Sequence, residues 1–269
     1  SYEQDGKTIQ VSSLGNGSVR LQFPYTPDEG EAVGYLFGVY VDSNGNAITI
    51  ENSVYDENTG SLIIATDHLS VYGIGYTSSS KKYKDIASHW AKEAIDYAVS
   101  RGLMIGTAST KFAPDRAISL GDLLMALGRL AGVDVTKYKE SSFSDVQKDY
   151  YYAPYVEWAY QEGIVESVDS GKFAPNRNIS RQEFARILSE FIKAYGYELP
   201  KIRVAFAFED EAMIEAEYKE AVKTLQQMGI AMAQGNNRFN PKAKVTRAEV
   251  AAMLYRLIKL SLGADTATG

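Results

Sequence analysis

Phe239-Asn240-Pro241-Lys242-Ala243-Lys244-Val245-Thr246-Arg247-Ala248-Glu249 decides the fold, because two earlier stretches share its layout. Phe112-Ala113-Pro114 and Phe173-Ala174-Pro175 match its Phe-x-Pro. Six residues beyond each phenylalanine comes an aliphatic residue and then a hydroxyl: Ile118-Ser119, Ile179-Ser180 and Val245-Thr246. Working outward, a glycine stands twelve residues before each proline, as Gly102, Gly163 and Gly229. Each segment opens with an aromatic-x-Asp: Tyr83-Lys84-Asp85, Phe143-Ser144-Asp145 and Phe208-Glu209-Asp210. Four landmarks in register, three times over, establish an internal repeat.

Each unit reads as helix, loop, helix. Trp90, Ala91, Ala94, Ile95, Ala98 and Val99 form a stripe at helical period, and Gly102 suits the left-handed residue that ends a helix. The second helices align Leu123, Leu124, Leu127 and Leu130 with Phe184, Ala185, Leu188 and Phe191, then with Val250, Ala251, Leu254 and Leu257. One helix pair cannot bury such a stripe alone, so the three units are expected to share a core. Ser119…Asp122, Ser180…Glu183 and Thr246…Glu249 have the spacing of capping boxes.

The first eighty residues read differently. Alternation at Ser18–Phe23 and short β-branched or aromatic runs at 35–41, 47–50, 61–65 and 70–76 predict five or six strands. Ser43-Asn44-Gly45-Asn46 and Asp56-Glu57-Asn58-Thr59-Gly60 suit tight turns between them. The Asp42/Asn44/Asn46 spacing suggests a calcium loop, but glycine falls at the fourth position and Ser53 stands where a closing glutamate belongs, which favours a plain turn. Thr77-Ser78-Ser79-Ser80 and Lys81-Lys82 read as a linker. The expected chain is therefore multi-domain. A small antiparallel β-sandwich over 1–80 precedes an all-α bundle of three units over 81–140, 141–203 and 204–262.

Composition narrows the function classes. Ten acidic and two basic side chains over 1–80 face 24 acidic and 26 basic ones beyond, which argues against nucleic acid. No apolar run is long enough to span a membrane, and the start shows no basic-then-apolar leader, so the chain reads as a mature product or a piece of one. With no cysteine, and with His68 and His89 far apart and unpartnered in sequence, no metal or cofactor is expected. No pair of carboxylates stands out as a hydrolase would require.

The motifs Tyr83-Lys84-Asp85, His89-Trp90-Ala91, Gly102-Leu103, Phe112-x-Pro114, Ile118-Ser119 and Thr246-Arg247-Ala248-Glu249 resemble the surface-layer homology (SLH) repeat over roughly 83–260. The resemblance implies a pseudo-threefold arrangement of three repeats. Its grooves would bind a secondary cell-wall polymer, often a pyruvylated one, and so hold a bacterial surface protein to the wall. The second reading is self-association within a surface layer, with weak glycan binding or none.

Candidate ligand-binding residues follow, each beside a plainer role. Arg181 and Arg247 sit at the first helical position, where a cation opposes the helix dipole and capping has no use for it. A guanidinium there would pair with a carboxylate, or lie solvated at the surface. Trp90 and Tyr151 would stack on a sugar ring or belong to the core. Asp85 and Asp145 would accept from sugar hydroxyls or cap local turns. Gly106 would let backbone approach a ligand closely. No repeat holds arginine, aromatic and glycine together, since Leu120, Glu217, Ser167 and Ala233 stand at matching positions. A complete site would have to assemble from different repeats, in one groove or two.

Overall fold

The computed structural model describes residues 2–4, 7–9, 18–167 and 171–264. Two short strands, β1 (Tyr2–Gln4) and β2 (Lys7–Ile9), pair antiparallel. Alternating side chains give β3 (Val19–Pro24) one half-buried and one exposed face. β4 (Leu36–Val41) and β5 (Ala47–Ile50) form a hairpin whose turn is held by Asp42, its Oδ1 accepting from the amides of Asn44 and Asn46 at 2.9 and 2.8 Å. β6 (Ser53–Asp56), β7 (Ser61–Thr66) and β8 (Val71–Tyr76) complete two three-stranded antiparallel sheets, ordered β3-β7-β6 and β5-β4-β8. The sheets meet across Leu36, Ile50, Tyr55, Leu62 and Ile64.

Six helices follow: α1 (Lys92–Ser100), α2 (Leu120–Leu130), α3 (Ala153–Gln161), α4 (Arg181–Ala194), α5 (Lys219–Gln227) and α6 (Arg247–Ser261). Gly102, Gly163 and Gly229 end α1, α3 and α5 with φ of 70°, 69° and 71°, the left-handed conformation their spacing predicts. The helices pair across repeats: α2 packs on α3, α4 on α5, and α6 returns to α1. This closes a ring in which every apolar stripe is covered by a neighbouring repeat.

Backbone bonds knit the ring at its centre. The amides of Gly121, Gln182 and Ala248, in the first turns of α2, α4 and α6, donate to the carbonyls of Pro175, Pro241 and Pro114 at 2.8, 3.1 and 2.9 Å. Each carbonyl belongs to the Phe-x-Pro of another repeat. Amides that a helix start leaves without intrahelical partners are thereby satisfied. The x residues Ala113, Ala174 and Asn240 all have positive φ, 59°, 58° and 56°. Extended residues pair as well, in the bridges Ala117 to Thr246, Ser119 to Asn178 and Ser180 to Lys244.

The expectation of a sandwich followed by an all-α bundle is therefore corrected. The described residues form the β1-β2 pair, two three-stranded sheets and six α-helices, and antiparallel backbone bridges join the repeats. Its main core also runs through both parts, since Val54 of β6 and Ile63 of β7 are buried with the helix residues. Arg101, just past α1, is buried and donates to the carbonyls of Leu36 and Ser53 at 2.5 and 3.1 Å. The stretch read as a linker is a tight turn at Ser79–Lys82, with Ser80 buried and its hydroxyl donating to Asp96 at 2.5 Å.

Candidate functional site

Three equivalent grooves lie on the seams of the ring. Each takes the loop after a first helix from one repeat, the first residue of a second helix from the preceding repeat, and an aromatic from the following one. The first groove joins Leu103–Thr107, Arg247 and Tyr151, and encloses about 270 Å³. The second joins Gly163–Ser167, Leu120 and Tyr218, at about 450 Å³. The third joins Met232–Gln234, Arg181 and Trp90, at about 470 Å³. The structure thus brings Gly106, Tyr151 and Arg247 together, and separately Trp90 and Arg181. Trp90 and Tyr151 are 64% and 60% exposed, so neither belongs to the core.

Both arginines are buried, at 3% for Arg181 and 5% for Arg247, which rules out the solvated-surface reading. Their Nε atoms donate to the carbonyls of Phe239 and Phe112 at 2.7 and 3.0 Å, and each guanidinium lies over the ring of that phenylalanine. The two then diverge. Arg181 Nη1 meets Glu249 Oε1 at 2.6 Å in a salt bridge. Arg247 donates to the Ile105 carbonyl, as Arg181 does to that of Met232 at 3.2 Å, but forms no salt bridge among the described residues. Burial pulls both guanidinium pKa values down; at Arg181 the Glu249 carboxylate works against this, whereas at Arg247 the more distant Asp122 does so.

The difference lies in the acid that each seam presents, its length and its neighbours. Glu249 completes a capping box with Thr246 through Oε2 and still reaches Arg181 through Oε1. The matching acid of repeat one is Asp122, which is shorter. Ser119 caps its amide, but the return half of the box is missing, and Asp122 Oδ1 accepts from the Tyr151 hydroxyl at 2.8 Å instead. Arg116 approaches the same carboxylate at 3.8 Å. Burial, with that hydrogen bond to Asp122 next, pushes the Tyr151 hydroxyl up to about 12, so it stays a donor at neutral pH. In the second groove, Leu120 of repeat one replaces the arginine and Glu183 turns to Arg177 at 2.7 Å. The charged residues lining the grooves then leave the first with one net positive charge, from Arg116 and Arg247 against Asp122. Arg181 and Arg256 balance Asp115 and Glu249 in the third. Glu166, Glu183 and Glu190 outnumber Arg177 and Arg186 in the second.

The aspartates take the structural option. The carboxylate of Asp85 accepts from the amides of Phe112 and Ala113 at 3.0 and 2.7 Å, and Asp145 from those of Phe173 and Ala174 at 2.8 Å each. Asp210 does the same for Phe239 and Asn240. Each acid clamps the left-handed turn that sends a proline carbonyl to its neighbour. Burial would raise the Asp85 and Asp145 carboxyls, but the two amides outweigh it and hold both below the ordinary value. Their stabilisation is complete above the ordinary carboxylate range and is lost as pH falls through the depressed values. Asp210 is buried whereas Asp85 is exposed. Urea titration should therefore show Asp210→Ala losing about 3 kcal/mol and Asp85→Ala about 1 kcal/mol.

Gly106 also has an internal reason. A Cβ there would strike the Tyr83 ring and lie 2.7 Å from the Lys111 carbonyl, while the Gly106 amide donates to the Tyr83 hydroxyl at 2.8 Å. Phe143 and Phe208, at the matching position, have no hydroxyl, and beside them Ser167 and Ala233 are accommodated. Tyr218 was missed because alignment on glycine put Glu217 at the groove position. A tight turn, Ala216–Tyr218, precedes α5 and presents the next residue instead. Among the described residues no group of three or more His, Asp or Glu gathers to hold a metal. A chelator should leave the thermal transition within about a degree, since no such cluster among the described residues would tie a metal to folding.

The model of the S-layer homology domain family matches residues 82–124, 142–185 and 207–251. Amylopullulanase of Thermoanaerobacterium thermosulfurigenes is 29% identical over 77% of this chain and 11% of its own length. Exoglucanase XynX of Acetivibrio thermocellus is 31% identical over 70% of this chain and 17% of its own. S-layer protein sap of Bacillus anthracis is 26% identical over 68% of this chain and 22% of its own. The chain thus spans about a tenth to a fifth of these relatives. Matches at three successive positions fall on the three repeats that form the ring: the chain carries three tandem S-layer homology domains, and its place is the bacterial cell surface.

Proposed function

We propose that the chain anchors a surface protein to the cell wall non-covalently, by holding an anionic wall polysaccharide in the first groove. The observation that carries this reading is Arg247, a buried guanidinium with no salt bridge among the described residues, facing a groove of net positive charge. A buried cation lacking a counter-ion gains most from an arriving anion. The carboxylate of a pyruvyl substituent suits the fork of guanidinium donors, and a sugar ring suits the exposed face of Tyr151. Such a ligand brings its own negative charge to a site whose own acid, Asp122, is engaged with Tyr151.

Self-association in a surface lattice is the second reading. The apolar side chains of Ile202, Val204 and Phe206 are exposed along one extended segment and would serve it. The two readings separate by sedimentation with purified wall sacculi, before and after extraction of the non-peptidoglycan polymer. Polymer binding predicts that the protein leaves the pellet after extraction. Unchanged sedimentation would defeat it.

A further inference from the structure

The third groove has the same construction as the first, yet its arginine already holds a carboxylate from within the chain. Glu249 Oε1 sits 2.6 Å from Arg181 Nη1, and Gln234 donates to that same oxygen. Trp90 stands in the groove with most of its ring exposed, as Tyr151 does in the first. We propose that the third groove is a latent second carboxylate-binding site, locked by Glu249 acting as an internal stand-in for the ligand's carboxylate. The inference rests on the reading of the first groove as the anion site.

The lock depends on side-chain length and on what else claims the acid, since Arg116 approaches Asp122 at 3.8 Å. Glu249 and Asp122 occupy the same position of successive seams, three residues past a capping hydroxyl. The longer acid reaches the arginine of the preceding repeat and the shorter one does not. Asp122→Glu should therefore close the first groove, and Glu249→Gln should open the third. Glutamine keeps an oxygen for the Thr246 amide, so the cap survives, but it removes the charge from Arg181. The charge of the third groove then rises from balanced to one positive, equal to the first. Loops, aromatic and arginine are already in place, so no new contact has to be built.

Trp90 supplies a private signal for this groove. The chain has two tryptophans, and the other, Trp158, is buried and donates to the Tyr195 hydroxyl at 3.0 Å. The full chain is titrated by calorimetry and by tryptophan fluorescence with a synthetic pyruvylated N-acetylhexosamine, its unpyruvylated form serving as control. Wild type should bind at one site without changing the emission. Glu249→Gln should bind at two sites and change it, and adding Arg181→Ala should abolish the second. Asp122→Glu should weaken the first site about tenfold or more. If Glu249→Gln does not fold, Glu249→Asp tests the same point by shortening the acid.

A single site and unmoved emission in Glu249→Gln, with wild type binding normally, would overturn the lock and leave the first groove intact. Two sites in wild type would overturn it as well. Binding by Glu249→Gln alone, with changed emission, would support the lock and defeat the reading of the first groove. Absence of binding in both chains would overturn both.

Discussion

A fragment of residues 141–200 should show neither native-like helicity nor a cooperative thermal transition. It contains α3 and α4, but α3 packs on α2 and α4 packs on α5, so each helix leaves its main partner behind. Trp158 and Val156 of α3 would be uncovered, as would Phe184 and Leu188 of α4. Burial of a large apolar side chain contributes about 1.5–3 kcal/mol. Losing several such contacts exceeds the whole stability of a small domain, about 5–15 kcal/mol. Helices of nine and fourteen residues do not persist alone in water. The loop would lose its ties too, since the Pro175 carbonyl accepts from Gly121 and the Gln182 amide needs Pro241. Circular dichroism across a thermal ramp checks this, and a sharp transition in the fragment would refute the shared core.

Arg247→Ala should weaken binding to wall polymer by about 2–5 kcal/mol, while Arg181→Ala leaves it near wild type. The two residues share a sequence position and nearly the same burial, and the carboxylate already bound to Arg181 is what sets them apart as anion partners. Capping alone predicts little effect on stability, because the box stays intact without the arginine. The structure changes that expectation. Removing Arg247 strips a donor from the buried Phe112 carbonyl, at about 1–3 kcal/mol, and one from the part-buried Ile105 carbonyl, at less. It also relieves the several kcal/mol needed to bury an unpaired cation. The two oppose each other, so the variant should fold and its lost affinity should be readable by calorimetry. Added salt should weaken wild-type binding only in part, since stacking on Tyr151 is not screened.

The repeat, the glycine helix ends and the hairpin turns were legible because each is local chemistry recurring at fixed spacing. β6 was passed over because Ser53-Val54-Tyr55-Asp56 is four residues long and polar at both ends, although all four are buried. Nothing in Ala113 or Ala174 announces a left-handed turn. Alanine has no preference for positive φ, and the Asp85 and Asp145 clamps that enforce it lie 27 to 29 residues away. The groove residues were legible one at a time but not as a set, since each groove draws on all three repeats. Burial of Arg181 and Arg247 was hidden for the same reason: their covering carbonyls come from other repeats. The decisive contrast, Asp122 against Glu249, reads in sequence as an ordinary substitution between acids. Only the geometry shows that one reaches the buried guanidinium of the preceding repeat and the other stops at Tyr151 and Arg116.

The central claim, that the first groove and not the third takes the anionic glycan, is tested most directly by nuclear magnetic resonance. Nitrogen-labelled protein is titrated with the pyruvylated N-acetylhexosamine, and the Gly106 amide and the Trp90 indole are followed as reporters of the two grooves. The account predicts a saturating shift of the Gly106 amide with the Trp90 indole unmoved. A saturating shift of Trp90 with Gly106 unmoved would contradict it.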